Sequence, residues 1–145
     1  MAFKSMGVFP CSKVKPTFDF TGDGTTWTTV SDLTSVQISI DTTVETYFSL
    51  DADGVQSALA TAKAIKYTFN GKRNTNDEGN NTVASMAFKI GSDAAANLKI
   101  TFPNGDSIQQ EVVIAVTEMG GDSTAIAQLN FECTGNGKVT TAKAA

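Results

Sequence analysis

Histidine is missing altogether from this chain of 145 residues. That removes the usual acid/base group at neutral pH, the triads that depend on it and the commonest zinc ligand. Cysteine is scarce: Cys11 and Cys133 stand far apart and form neither a CxxC pair nor any metal-ligand spacing. Cys133 falls on the apolar face of an expected strand and reads as a small, reduced core residue. Charge is thin as well, 18% of residues against about 25% in an average globular chain. Thr, Ser and Asn supply much of the polarity instead, a composition that suits a surface meeting other copies of itself. The net charge of −4 and pI near 4.7 argue against a protein that grips nucleic acid, because neutralising phosphates needs clustered Lys and Arg. No run approaches the roughly 18 apolar residues that span a bilayer, and Met1-Ala2-Phe3-Lys4 opens no apolar signal region. A protein made and kept in the cytosol, at least until assembly, is expected.

What the chain does have is alternation. Period two places successive side chains on opposite faces of a strand, and it recurs along the sequence. Val36, Ile38 and Ile40 share one face, followed by Val44, Thr46, Phe48 and Leu50. Ile65, Tyr67 and Phe69 repeat the pattern, then Leu98, Ile100 and Phe102, then Ile108, Gln110, Val112, Ile114 and Val116, and last Ala127, Leu129, Phe131 and Cys133. Half-buried strands of this kind belong to antiparallel sheets. Asn104-Gly105 predicts a type I′ turn pairing the strands on either side of it, and Gly120-Gly121-Asp122 predicts the next reversal. One helix is expected where Val83, Met86, Ala87 and Ile90 fall at helical spacing, with Asn81 capping its start and Gly91 ending it. Val55 to Ala62 also has apolar residues at helical spacing, but it lies between two strands and reads equally as a long loop.

The length fits a single domain over residues 1–145, with an N-terminal arm at 1–16 and a flexible C-terminal tail at 139–145. Aromatics in the first 30 residues are interrupted by Gly and Pro, so this stretch either tucks over its own core or docks on a neighbour. Lys4, Lys13 and Lys15 against Asp19 give Met1 to Phe20 a charge of +2, which leaves −6 on the rest of the chain.

Candidate sites for chemistry do not hold up. Asp51-Ala52-Asp53-Gly54 places its glycine at position four, where a calcium loop needs it at six, and reads as a turn. Asn74, Asn76, Glu78 and Gly79 fit the loop spacing better, but the twelfth position is Ser85 in place of a bidentate Glu. Asn80-Asn81-Thr82 is a chance match to the glycosylation pattern. Gly22-Asp23-Gly24 lacks the rest of a nucleotide fingerprint, and Ser123 sits in no nucleophile elbow. Asp77 and Glu78 are adjacent and would point apart in an extended loop. With Lys72 and Arg73 nearby they predict an ion pair, within the loop or across a subunit boundary. No catalytic, metal or cofactor site is expected, so the chain does not read as an enzyme.

Four segments taken together carry a resemblance: Tyr67-Thr68-Phe69-Asn70-Gly71-Lys72-Arg73-Asn74, Asp77-Glu78-Gly79-Asn80, Ile100-Thr101-Phe102-Pro103-Asn104-Gly105-Asp106 and Gly120-Gly121-Asp122-Ser123-Thr124. In order and spacing they resemble the major tail tube proteins of long-tailed bacteriophages. The match runs from about Ile65 to Lys138; Val36 to Ile40 and Thr43 to Leu50 are similar to the family's paired early strands, whereas Asp51 to Lys63 departs from it. The resemblance implies a mainly β fold, an antiparallel β-sandwich or barrel with one flanking α-helix. It also implies a structural virion protein, synthesised in the host cytoplasm, whose hexameric rings stack into the tail tube and form the channel for DNA ejection. Implied partners are further copies of the chain, the tape measure, tail terminator and distal tail proteins, and viral DNA that transits the lumen without specific binding. Phe3, Val8, Phe9, Lys72, Arg73, Asp77 and Glu78 are the candidate subunit-interface residues. An immunoglobulin-like module that does not assemble, and the inner tube of a contractile injection machine, are the alternative readings.

Overall fold

Alternation becomes register in the computed structural model, which describes residues 8–22 and 24–143. The strands are β1 (Lys15–Asp19), β2 (Thr28–Thr29), β3 (Leu33–Phe48), β4 (Gln56–Lys72), β5 (Ala95–Thr101), β6 (Ser107–Gly120), β7 (Gln128–Gly135) and β8 (Thr140–Ala142). All pair antiparallel in one sheet of order β2-β1-β5-β6-β7-β4-β3, with β8 on the free end of β6. The residues expected to share a face do so: Tyr67 lies opposite Cys133, and Phe69 opposite Phe131.

The sheet is rolled. β1 and β4 are four places apart in the strand order, about 19 Å across a flat sheet at roughly 4.8 Å per strand. Yet the rings of Phe18 on β1 and Phe69 on β4 meet edge to face at 5.6 Å, and Phe69 stacks on Phe131 at 5.0 Å. Only a sheet folded over on itself brings these rings together, which makes the architecture the expected antiparallel sandwich or barrel. Its interior holds Phe18, Tyr67, Phe69, Leu98, Ile100, Val112, Ile114, Leu129, Phe131 and Cys133, all buried. Gln110 is a polar member of this core: it accepts from the Tyr67 hydroxyl at 2.8 Å and donates to the Gly137 carbonyl at 2.9 Å, so its amide is paired at both ends.

Three expectations need correction. The helix α1 spans Glu78–Ser85, with Asp77 rather than Asn81 as its cap, and passes into a 3-10 turn at Met86–Phe88. Val83 and Met86 are buried as the spacing predicts, but Ile90 lies beyond the helix and is exposed. The stretch from Val55 to Ala62 is neither helix nor long loop, for β4 begins at Gln56 and pairs with β3 along its length. Cross-strand pairing has overridden the helical preference of its alanines. At Asn104-Gly105 the strands pair as expected, but only Gly105 has a positive φ. The Gly105 N–H donates to Phe102 O at 2.9 Å, and Pro103 occupies the position whose φ its ring sets. Farther along, Thr140–Ala142 forms β8 against Ser107–Gln109.

Candidate assembly surface

β3 and β4 outrun the core. β4 pairs with β7 only over Lys66–Lys72, so from Gln56 to Ile65 its outer edge is open, and β3 ends the sheet with an open edge of its own. Beyond Ser39, among the described residues, the hairpin has a strand on neither side. The core-side face continues with apolar side chains at every fourth residue: Ile40, Val44 and Phe48, opposite Ile65, Ala60 and Gln56, are 60%, 52% and 68% exposed, with Thr42, Thr46 and Lys63 between them. A single exposed apolar side chain would be ordinary; three along a hairpin whose edges leave N–H and C=O groups unpaired make a surface suited to contact with another chain. Asp53 and Gly54 take left-handed conformations to close the tip, with φ of 54° and 81°, and Leu50 beside them is fully exposed.

The opposite face of β3, β4, β7 and β6 is mostly polar. Register places Ser35, Gln37, Ser39, Thr43, Thr68, Asn70, Gln128, Asn130 and Thr134 there, with small Ala62, Ala64 and Ala115 between them and the exposed apolar Tyr47, Leu59 and Val113 on the same face. Its charges are Asp41, Glu45, Glu111, Glu118 and Glu132 against Lys66 and Lys72. Lys66 is paired with Glu132 at 3.2 Å, which leaves Asp41, Glu45, Glu111 and Glu118 against Lys72, an excess of carboxylates.

The two ends of the rolled sheet leave a cleft of about 290 Å³ between β1 and β3, lined by Cys11, Val14, Lys15, Pro16, Leu33 and Val36 among others. Cys11, in a 3-10 turn at Cys11–Lys13, is exposed at its rim.

The candidate interface residues are scattered. Phe3 lies outside the described residues. Val8 is 87% exposed, whereas Phe9 leans on Phe102 of its own chain with ring centroids 6.3 Å apart. The predicted ion pair between Lys72 or Arg73 and Asp77 or Glu78 is not formed within the loop. Arg73 Nη1 instead donates to the Asn74 carbonyl and to the Oδ1 atoms of Asn80 and Asn81, at 3.1, 2.9 and 2.8 Å. Asp77 caps α1 by accepting from the Asn80 N–H at 2.9 Å, and its carboxylate also accepts from the N–H and hydroxyl of Ser31, both at 3.0 Å. The Ser31 and Asn80 N–H groups hold its carboxyl below the ordinary value against the opposing effect of burial. Glu78 is exposed in the first helical turn, where its charge suits the helix dipole.

Sequence reasoning missed the two anchors of these loops. Asn80, wholly buried, accepts from the Asn74 N–H at 3.0 Å and donates to the carbonyls of Ser31 and Lys72 at 3.2 and 2.9 Å. Asp19, also wholly buried, accepts from the N–H groups of Thr21, Gly22 and Gly24, the Thr21 hydroxyl and the Asn97 amide. Asn80 depends on a carbonyl 49 positions earlier in the chain, which no local pattern reveals; Asp19 is held mainly by the turn just after it, from Thr21 to Gly24, so its signal was local. Among the described residues no cluster of three His, Cys, Asp or Glu side chains is placed to hold a metal ion, and no helix is long and apolar enough to cross a membrane.

No protein-family model matches the chain, and no curated protein matches it in sequence. Solved structures do match in shape. A chain from a structure described as the tail of an empty gene transfer agent particle, computed with helical refinement and C6 symmetry, superposes with a TM-score of 0.77 at 15% identity over 93% of this chain and 99% of its own. A chain from the virion of a native gene transfer agent particle gives 0.71 at 13% identity, with the same coverage of both chains. The chain therefore has a tail-tube-like fold over nearly its whole length, the fold that its loops resemble in sequence.

Proposed function

We propose that this protein is a structural subunit of a phage-type virion tail, assembling as hexameric rings that stack into a tube through which DNA passes. The observation that carries the reading is the β3–β4 hairpin, which extends past its own core with open edges and with Ile40, Val44 and Phe48 uncovered. Left in water, such an edge invites pairing; in a ring, the neighbour's strands satisfy its N–H and C=O groups. Support comes from the shared fold with a tail of C6 symmetry. In this reading the polar face of β3, β4, β7 and β6 lines the channel. Its carboxylate excess keeps phosphates from binding through counterion release and lets the polyanion slide. The role is architectural rather than catalytic, its partners are further copies of itself and the other tail proteins, and its place is the virion.

Purified protein concentrated at several salt concentrations, followed by light scattering and negative-stain imaging, tests this. Rings or tubes with a central hole and six-fold symmetry are expected. A monodisperse monomer under every condition, including in the presence of its native tail-initiating complex, would end the proposal.

A further inference from the structure

Resting on that tube reading, we propose that successive rings are joined by a plug and a socket: the tip of the β3–β4 hairpin of one copy seats in the cleft between β1 and β3 of a copy in the next ring. The plug is apolar and acidic. Phe48, Leu50 and Val55 are 68%, 100% and 66% exposed, and the charges between Phe48 and Val55 are Asp51 and Asp53. The socket is apolar and basic, with Val14, Pro16, Leu33 and Val36 on its walls, Lys15 beside them and Lys13 in the turn before. Its volume of about 290 Å³ admits a side chain or two rather than a folded partner, which matches a hairpin tip. Unlike charges at the rim favour this orientation over tip-to-tip or cleft-to-cleft contact.

Placement makes the contact intermolecular. Leu33 in the socket and Phe48 at the base of the plug are the two ends of one 16-residue strand, about 50 Å apart along it at roughly 3.3 Å per residue. A chain therefore cannot fill its own cleft with its own tip. A plug at one end and a socket at the other form a heterologous contact, which cannot close as a pair; running from ring to ring rather than around a ring, it builds an open filament.

Cys11 supplies the test, because it lies exposed at the socket while Cys133 is buried. In the full chain carrying Leu50→Cys, mild oxidation of assembled material is expected to join the introduced thiol to Cys11 of the next copy. A non-reducing gel should then show a ladder running past hexamers, which disappears when Cys11→Ser is added; a ladder that ends at hexamers would place the contact within one ring and overturn the proposal. Lys15→Glu should raise the concentration needed for tubes by about threefold, and Asp51→Lys in the same chain should restore it. Tubes that form without the cross-link overturn the plug and socket while leaving the tube reading intact. Cross-linking that stops at dimers overturns the head-to-tail direction, and protein that never passes the monomer removes both proposals together.

Discussion

Asp19 is a wholly buried carboxylate held by hydrogen-bond donors. Burial by itself pushes its carboxyl up, but the Gly24 N–H, the Thr21 hydroxyl, the Asn97 amide and the Thr21 N–H together outweigh that and hold it below the ordinary 3.8. Asp77 is held low by Ser31 and Asn80. A carboxyl with a depressed folded value takes up protons less readily in the folded chain than in the unfolded one. Both groups therefore stabilise the fold fully above the unfolded value, and that contribution is lost as pH falls through their folded values, below 3.8. Urea midpoints measured from about pH 3 to pH 7 should fall at the acid end, and Asp19→Asn should lower stability at neutral pH by about 2 kcal/mol while flattening the acid fall. An unchanged midpoint at pH 7 would mean that the loop from Thr21 to Gly24 does not depend on this carboxylate. The two thiols differ just as sharply. Cys11 is exposed, whereas burial pushes the Cys133 thiol up, so iodoacetamide should modify Cys11 in the folded protein and reach Cys133 only after denaturation.

Within one element, the β3–β4 hairpin, burial divides positions that look alike in sequence. Phe69 is wholly buried near one end and Phe48 is 68% exposed near the other. Phe69→Ala should cost about 3–5 kcal/mol of monomer stability. Phe48→Ser should change it by less than about 0.5 kcal/mol yet lower the yield of tubes. Equal losses of stability for the two would place Phe48 against the subunit's own core. The short helix is constrained in a different way. A Cβ on Gly79 would stand 2.5 Å from the Thr29 carbonyl oxygen, so α1 lies against β2 only because this position carries no side chain. Gly79→Ala should destabilise the subunit by about 1–3 kcal/mol in urea unfolding.

For the molecule as a whole, charge on the channel face is the quantity to alter. Replacing Asp41, Glu118 and Glu132 with lysine changes two exposed side chains and one partner of a surface ion pair, so folding should be little affected. Tubes of this variant should retain DNA, with an affinity that falls steeply as salt rises, while tubes of the parent chain let it elute. Indifference of both tubes to DNA would place this face away from the channel.

Strands and their inner faces were legible in the sequence because period two is a local property: Tyr67, Phe69, Leu129, Phe131 and Cys133 each alternate with polar neighbours and each is buried. The turns at Asp51 to Gly54 and at Gly120-Gly121 were legible for the same reason, since conformational freedom belongs to the residue. The helix was only half legible: Val83 and Met86 announced its buried side, but its cap is Asp77, through the Asn80 N–H, and the same carboxylate is also engaged by Ser31, 46 positions earlier in the chain. What tertiary structure alone decided was where alternation ceases to mean burial. Ile40, Val44 and Phe48 continue the pattern of Ile38, and nothing local distinguishes them. They are uncovered because β7 stops pairing with β4 at Lys66, and the length of a neighbouring strand is written elsewhere in the chain.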